Sequence, residues 1–205
     1  MSVPNAVTYQ NFNSFTAKIP QLNVYSNLER EIRLYHESVK YRMDIAHYSL
    51  IQMLEDHSFG IPFNSGLTGF LVQAKAALDC LAETINLRYG LSLRPGEFTT
   101  DIKRLANNTV LLSSVNRPLA EVIEREFGQS SHWFKNFKYL RDSEGVHRKR
   151  TSRQINLEIG VTYPQDRTVT LEGQSEPTAQ YCTNILDTIN RVIEECYSLM
   201  IEPST

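Results

Sequence analysis

From Tyr25 to Met53 the apolar residues advance by three or four positions at every step: Tyr25, Leu28, Ile32, Tyr35, Val39, Met43, Ala46, Leu50 and Met53. Only an α-helix gathers that rhythm onto one face, because its turn of about 3.6 residues stacks every third or fourth side chain. A helix that long with a single apolar stripe must bury the stripe against other helices, so a helical bundle follows. The segment Ser58-Phe59-Gly60-Ile61-Pro62 interrupts the pattern, since glycine and proline disfavour continuation. Asn64 or Ser65 then suits the cap of a second helix, with Leu67, Phe70, Leu71, Ala74, Leu78, Leu81 and Ile85 as its buried stripe and Tyr89-Gly90 as its end. Asp79 follows Lys75 by four residues, the spacing of an ion pair within one helix.

The rest of the chain divides by the same rules. Residues 1–23 mix Pro4, Pro20 and scattered aromatics without periodicity and read as an extended N-terminal arm. Between 91 and 116, Pro95-Gly96 marks a turn and Thr99 or Thr100 suits the cap of a short helix through Leu105. Asn116, with Pro118 in the first turn, opens a helix that Gly128 closes, and Ser130 or Ser131 caps the next. The period then changes to two: Ile155, Leu157, Ile159, Val161 and Tyr163 alternate with polar residues, Pro164-Gln165-Asp166 makes a turn, and Val169 and Leu171 resume the alternation. Pro177 starts a last helix whose core face is Cys182, Ile185, Ile189, Val192, Cys196 and Met200. The expected fold is mainly α, a bundle of about five helices with a β-hairpin inserted near residues 154–172, in a single domain spanning 24–205.

Composition narrows the function classes. A chain of 205 residues with 41% hydrophobic content can build one sizeable core. No apolar run approaches the roughly 18 residues of a membrane-spanning helix. The first residues show no charged segment followed by an apolar run, so a cytoplasmic location is the expectation. Cys80, Cys182 and Cys196 form no CxxC or zinc-finger spacing and read as small buried hydrophobes. Phosphate-binding glycine loops, dinucleotide fingerprints and nucleophile elbows are absent, and no cofactor or resident metal is expected.

The chemistry concentrates between Ser131 and Arg153, SHWFKNFKYLRDSEGVHRKRTSR. Trp133, Phe137 and Leu140 recur at helical spacing and should point inward. Lys135, Lys138, Arg141, Arg148, Lys149, Arg150 and Arg153 oppose only Asp142 and Glu144, in a chain whose net charge is -2, so the positive charge is local. Such a patch suits a polyanion. Embedded in it, His147 titrates near neutral pH and can move a proton to or from a ribose oxygen. Arg141 can grip a phosphate with two donors and meet the charge of a transition state. Asp142 can orient either group, and Arg148, Lys149, Arg150 and Arg153 would track an RNA backbone.

The sequence Arg141-Asp142-Ser143-Glu144-Gly145-Val146-His147 late in a helical chain resembles the HEPN superfamily (higher eukaryotes and prokaryotes nucleotide-binding domains), marked by an Arg, a polar residue, and a His after four to six intervening positions. The preceding aromatic helix and the segment LVQAKAALDCLAETIN are similar to that family as well. The resemblance covers roughly residues 25–150. It implies a metal-independent endoribonuclease of toxin, defence or RNA-processing type, with Arg141 and His147 catalytic, a homodimer pooling two motifs, and a protein partner such as an antitoxin. On an ideal helix Arg141 and His147 stand roughly 120° apart and about 9 Å along the axis, so one straight helix does not aim both at one phosphate; either a bend at Gly145 or a two-fold axis is required to bring them together.

Two other Arg…His pairs, Arg30 to His36 and Arg42 to His47, fit the spacing but read as ordinary helical histidines. Two alternatives stand beside the nuclease. One is a catalytically inactive interaction or nucleotide-binding module in which Arg141, Asp142 and Glu144 form a structural ion network. The other is a di-metal carboxylate bundle built on Glu144-x-x-His147 and Asp44-x-x-His47.

Overall fold

A computed structural model describes residues 9–18, 27–55, 61–94, 99–142, 168–171 and 174–201. In chain order the elements are α1 (Gln10–Lys18), α2 (Asn27–Glu55), α3 (Ile61–Tyr89), α4 (Ile102–Ala106), α5 (Thr109–Ser113), α6 (Arg117–Phe127), α7 (His132–Leu140), β1 (Thr168–Leu171), β2 (Gln174–Pro177) and α8 (Thr178–Ile201). The protein is mainly helical.

The two longest helices, α2 and α3, each run 29 residues, roughly 43 Å. They lie antiparallel: Arg42 reaches Gln73 at 2.9 Å, whereas Ser49 lies against Gly66 and Gly69. Of the residues the periodicity picks out on α2, Ile32, Val39, Met43, Ala46, Leu50 and Met53 are buried, sharing one core with Phe70, Leu71, Ala74, Leu78, Leu81 and Ile85 of α3, whereas Leu28 is exposed and Tyr35 half-buried, and His36 and Ser49 take buried places that the apolar pattern did not mark. α3 begins at Ile61, ahead of the expected cap at Asn64 or Ser65. Proline fits a first helical turn, where its missing N–H has no partner to lose, so Pro62 starts this helix instead of breaking it. α8 closes the bundle, burying Cys182, Ile185, Ile189, Val192, Cys196 and Met200 as its spacing requires.

The expected extended arm is a correction. Residues 10–18 form a helix, and Phe12 and Phe15 enter the common core at 4% and 2% exposure. The two aromatics are three apart, but a nine-residue segment shows too few turns for its period to stand out; tertiary packing decides it.

Buried polar side chains fasten the less regular pieces. Gly90 takes a positive φ of 63° at the end of α3, where the Leu91 N–H donates back to the Asn86 carbonyl at 3.0 Å. The side chain of Asn86 accepts from the Leu93 N–H at 2.9 Å, and the fully buried Glu83 accepts from the Thr100 N–H at 2.6 Å and from Arg94 at 2.5 Å. Asp79 bonds Lys75 at 2.5 Å, as its spacing predicts, and also accepts from the Ile102 N–H at 3.0 Å. The cap of α4 is Asp101, not Thr99 or Thr100. Asn116 caps α6 and Gly128 ends it as expected.

Strands β1 and β2 pair antiparallel, with Val169 opposite Glu176 and Leu171 opposite Gln174. The expected hairpin near 154–172 is therefore not supported. Its second arm, Val169 and Leu171, pairs forward onto residues 174–177, and its first arm, 155–163, lies outside the described residues.

A Cβ on Gly66 would lie 2.7 Å from the Ser49 carbonyl oxygen and 2.9 Å from the Met53 backbone, whereas one on Gly69 would meet chiefly the Ser49 hydroxyl at 2.7 Å. Gly66→Ala should therefore cost about 1–3 kcal/mol in denaturant unfolding. Gly69→Ala should cost less, and Ser49→Ala should recover part of its loss but none of the loss from Gly66→Ala.

Candidate functional site

The segment that carries the sequence signature begins with α7, and the fold fixes that helix firmly. Ser131 caps it, its hydroxyl accepting from the Phe134 N–H at 3.4 Å. Phe134, Phe137 and Leu140 are buried, while Trp133 is half-buried with its ring edge-on to Phe127, the last residue of α6. The indole N–H of Trp133 donates to Glu126 at 3.0 Å.

Glu126 is the hub of this region. At 6% exposure it also accepts from Arg125 at 3.0 Å and from Arg191 of α8 at 3.1 Å. Arg125 in turn donates twice to Glu195, at 3.0 and 2.8 Å, and Arg191 adds a longer bond to the same carboxylate. Burial pushes the Glu126 carboxyl upward, but the bonds from Arg125, Trp133 and Arg191 outweigh it and hold the group below its ordinary value. One carboxylate thus ties α6, α7 and α8 together. Sequence reasoning missed this set, because Trp133 and Arg191 lie 7 and 65 residues from Glu126 and no local spacing links all three.

At the far end of α7 stand Arg141 and Asp142, where the backbone passes from the α-helix into a wider π-type turn. Such a turn breaks the α register and recurs at functional positions. The Arg141 guanidinium donates through Nε to Asp142 Oδ1 at 2.8 Å and through Nη2 to the same oxygen. Both side chains are partly exposed, 23% and 36%. Lys135 and Tyr139 are exposed on the outer side of α7. Of the other expected site residues, Glu144, His147, Arg148, Lys149, Arg150 and Arg153 lie outside the described residues.

The rival histidines sit elsewhere. His36 is fully buried between Thr16 and Tyr197, at 2.6 and 3.0 Å, as a core histidine with both ring nitrogens engaged. His47 is half-buried on α2, and Arg42 is bonded to Gln73. Asp44, the carboxylate of the second metal-type pair, accepts from Tyr9 at 2.5 Å and Lys40 at 2.7 Å. Among the described residues no group of three or more His, Cys, Asp or Glu could hold a metal ion, and no helix is long and apolar enough to cross a membrane. Cys182 and Cys196 are buried. Cys80 is half-buried, with desolvation pushing its thiol up to about 11.

No protein-family model matches this chain, and no curated protein or solved structure does either.

Removing the hub should loosen α7. Glu126→Ala leaves the indole of Trp133 and two guanidiniums without their shared acceptor. It should cost about 2–3 kcal/mol, and the emission of Trp133, the chain's one tryptophan, should move to longer wavelength in the folded state. Unchanged emission and stability would show that α7 is held by its aromatic face alone.

Proposed function

We propose that the chain is a metal-independent endoribonuclease of the HEPN type, acting as a homodimer in which Arg141 and His147 work on one phosphodiester. The observation that supports this reading most is Arg141 itself. It sits at the end of a helix anchored by Trp133 and Glu126, partly exposed, and steadied by the neighbouring carboxylate of Asp142. A guanidinium fixed in that manner can meet a phosphate without first being ordered.

The chemistry would run as follows. His147, as a neutral imidazole, takes the proton from a ribose 2′-OH, and the oxygen attacks the adjacent phosphorus. The bond to the 5′-oxygen breaks, and that oxygen takes a proton from the His147 imidazolium, which returns the ring to its neutral form and leaves a 2′,3′-cyclic phosphate and a 5′-hydroxyl. Arg141 holds the equatorial phosphate oxygens as their charge rises. Arg148, Lys149, Arg150 and Arg153 contact the flanking phosphates, which makes binding fall steeply with salt. A nuclease of toxin or defence type would in turn require an inhibitory protein partner such as an antitoxin.

A second reading is favoured by the same ion pair. Both donors from Arg141 converge on one oxygen of Asp142, which suits a structural pair in a non-catalytic interaction module. The two readings separate cleanly by experiment. As a nuclease, the protein cleaves single-stranded RNA in EDTA, and Arg141→Ala and His147→Ala each reduce cleavage by at least 100-fold, on the order of the contribution of one acid–base or charge-stabilising group, with the helical circular dichroism unchanged. Absence of cleavage by the wild-type chain, together with a loss of stability in Asp142→Ala, supports the interaction module instead.

A further inference from the structure

Helix α1 is held to the bundle at three points, and an ionisable side chain serves at each. At its start, the Tyr9 hydroxyl donates to Asp44 at 2.5 Å, with Lys40 over the ring at 4.5 Å. At its first turn, the Glu194 carboxylate of α8 accepts from the free N–H groups of Asn11 and Phe12, at 2.7 and 3.3 Å. Such a cap satisfies donors that an isolated helix leaves open and suits the positive end of its dipole. At its last turn, Thr16 meets His36 at 2.6 Å, and Phe12 lies flat on the imidazole, 3.9 Å between centroids and 17° between planes.

Both ring nitrogens of His36 are engaged. The Thr16 hydroxyl donates to the Phe12 carbonyl at 3.0 Å, so its oxygen accepts from Nε2–H of His36. Nδ1 meets the Tyr197 hydroxyl at 3.0 Å, and that hydroxyl also bonds Thr84 of α3. The ring is fully buried with Phe12 stacked on it, and such burial disfavours the charged imidazolium while α1 is closed.

We infer that α1 is an acid-released clasp: taking up one proton at His36 favours the state in which α1 has lifted from α2 and α8 while the rest of the bundle stays folded. Around the imidazole stand Arg33 on its own helix, Thr16 on α1, Tyr197 on α8, and Arg88 of α3, whose guanidinium caps Phe15 at 5.9 Å. Glu194 and Cys80 lie around Tyr197. Among the described residues no carboxylate bonds the ring itself, so a charged His36 gains no ion pair from them in the closed state. Glu194 and Asp44 also bond α1, at its first turn and at its start, so the experiment has to separate them from His36.

Burial, with help from Arg33, lowers the closed imidazole to about 4, whereas its ordinary value is 6.5. The sign follows from linkage. Between those values the open state binds the extra proton and the closed state does not, so closure is full above 6.5 and weakens as pH falls towards 4. The opening constant then rises about tenfold per pH unit, roughly 300-fold across the window.

The test is amide hydrogen exchange on the full chain from pH 7.5 to 4.5, corrected for the intrinsic rate, comparing residues of α1 with those in the middle of α3. The expected result is an α1 opening constant that climbs about tenfold per unit below pH 6.5 while α3 stays protected. A flat α1 profile, or α1 and α3 opening together, overturns the inference. His36→Gln, which keeps a donor and an acceptor but does not titrate, should flatten the profile; persistence of the slope would assign it to Glu194 and Asp44 and overturn the inference as well. If that variant does not fold, the wild-type imidazole resonance of His36 decides: it must titrate in step with α1 opening, and titration out of step sinks the idea.

Discussion

Everything in this fold is arranged on the close approach of α2 to α3. Gly66 and Gly69 bring the backbone of α3 against Ser49 and Met53, and that proximity lets two 29-residue helices share one apolar seam. With the seam closed, Val39, Met43 and Leu50 are dry on one side and Phe70, Leu78 and Leu81 on the other. Dispersion and the hydrophobic effect act over the whole length of this pair. The remaining helices dock on a surface that exists only because the pair has formed.

How they dock shows a common device. Three carboxylates on three different helices each fasten a segment that could not hold itself. Glu83 of α3 accepts from the Thr100 backbone and Arg94, so the connector leading to α4 is tied to the long helix. Glu126 of α6 gathers Trp133, Arg125 and Arg191 and thereby fixes α7. Glu194 of α8 caps α1. A short helix is marginal alone in water, and each anchor replaces lost solvent contacts with charged hydrogen bonds in a low-dielectric setting. The cost of desolvating a carboxylate is offset because every one of them has at least two donors.

This arrangement bears on function through α7. The signature segment of the sequence is continuous with a helix whose aromatic face and Glu126 bond fix its direction, so Arg141 emerges at a defined place beside Asp142. At that point the backbone takes a π-type turn over Arg141 and Asp142. The guanidinium is pre-ordered by its neighbour, which serves a phosphate clamp and a structural ion pair equally well.

The long helices and the two well-capped ones were legible because their signal is local. The 3.6-residue rhythm marks α2, α3 and α8, side-chain caps mark the start of α6 at Asn116 and of α7 at Ser131, and a four-residue spacing marks the Lys75–Asp79 pair. Residues Arg141 and Asp142 were legible as candidates for the same reason, standing side by side in a charged run. What the sequence could not decide depends on partners far away along the chain. Helix α1 forms because Phe12 and Phe15 find His36 and Tyr197 in a shared aromatic cluster, and because Glu194, 183 residues after Asn11, caps its first turn. β1 pairs with β2, a partner that alternation alone did not mark, since register is set by which edge is offered. Periodicity reports which face of a segment is apolar, and only the assembled bundle determines which charged group meets it.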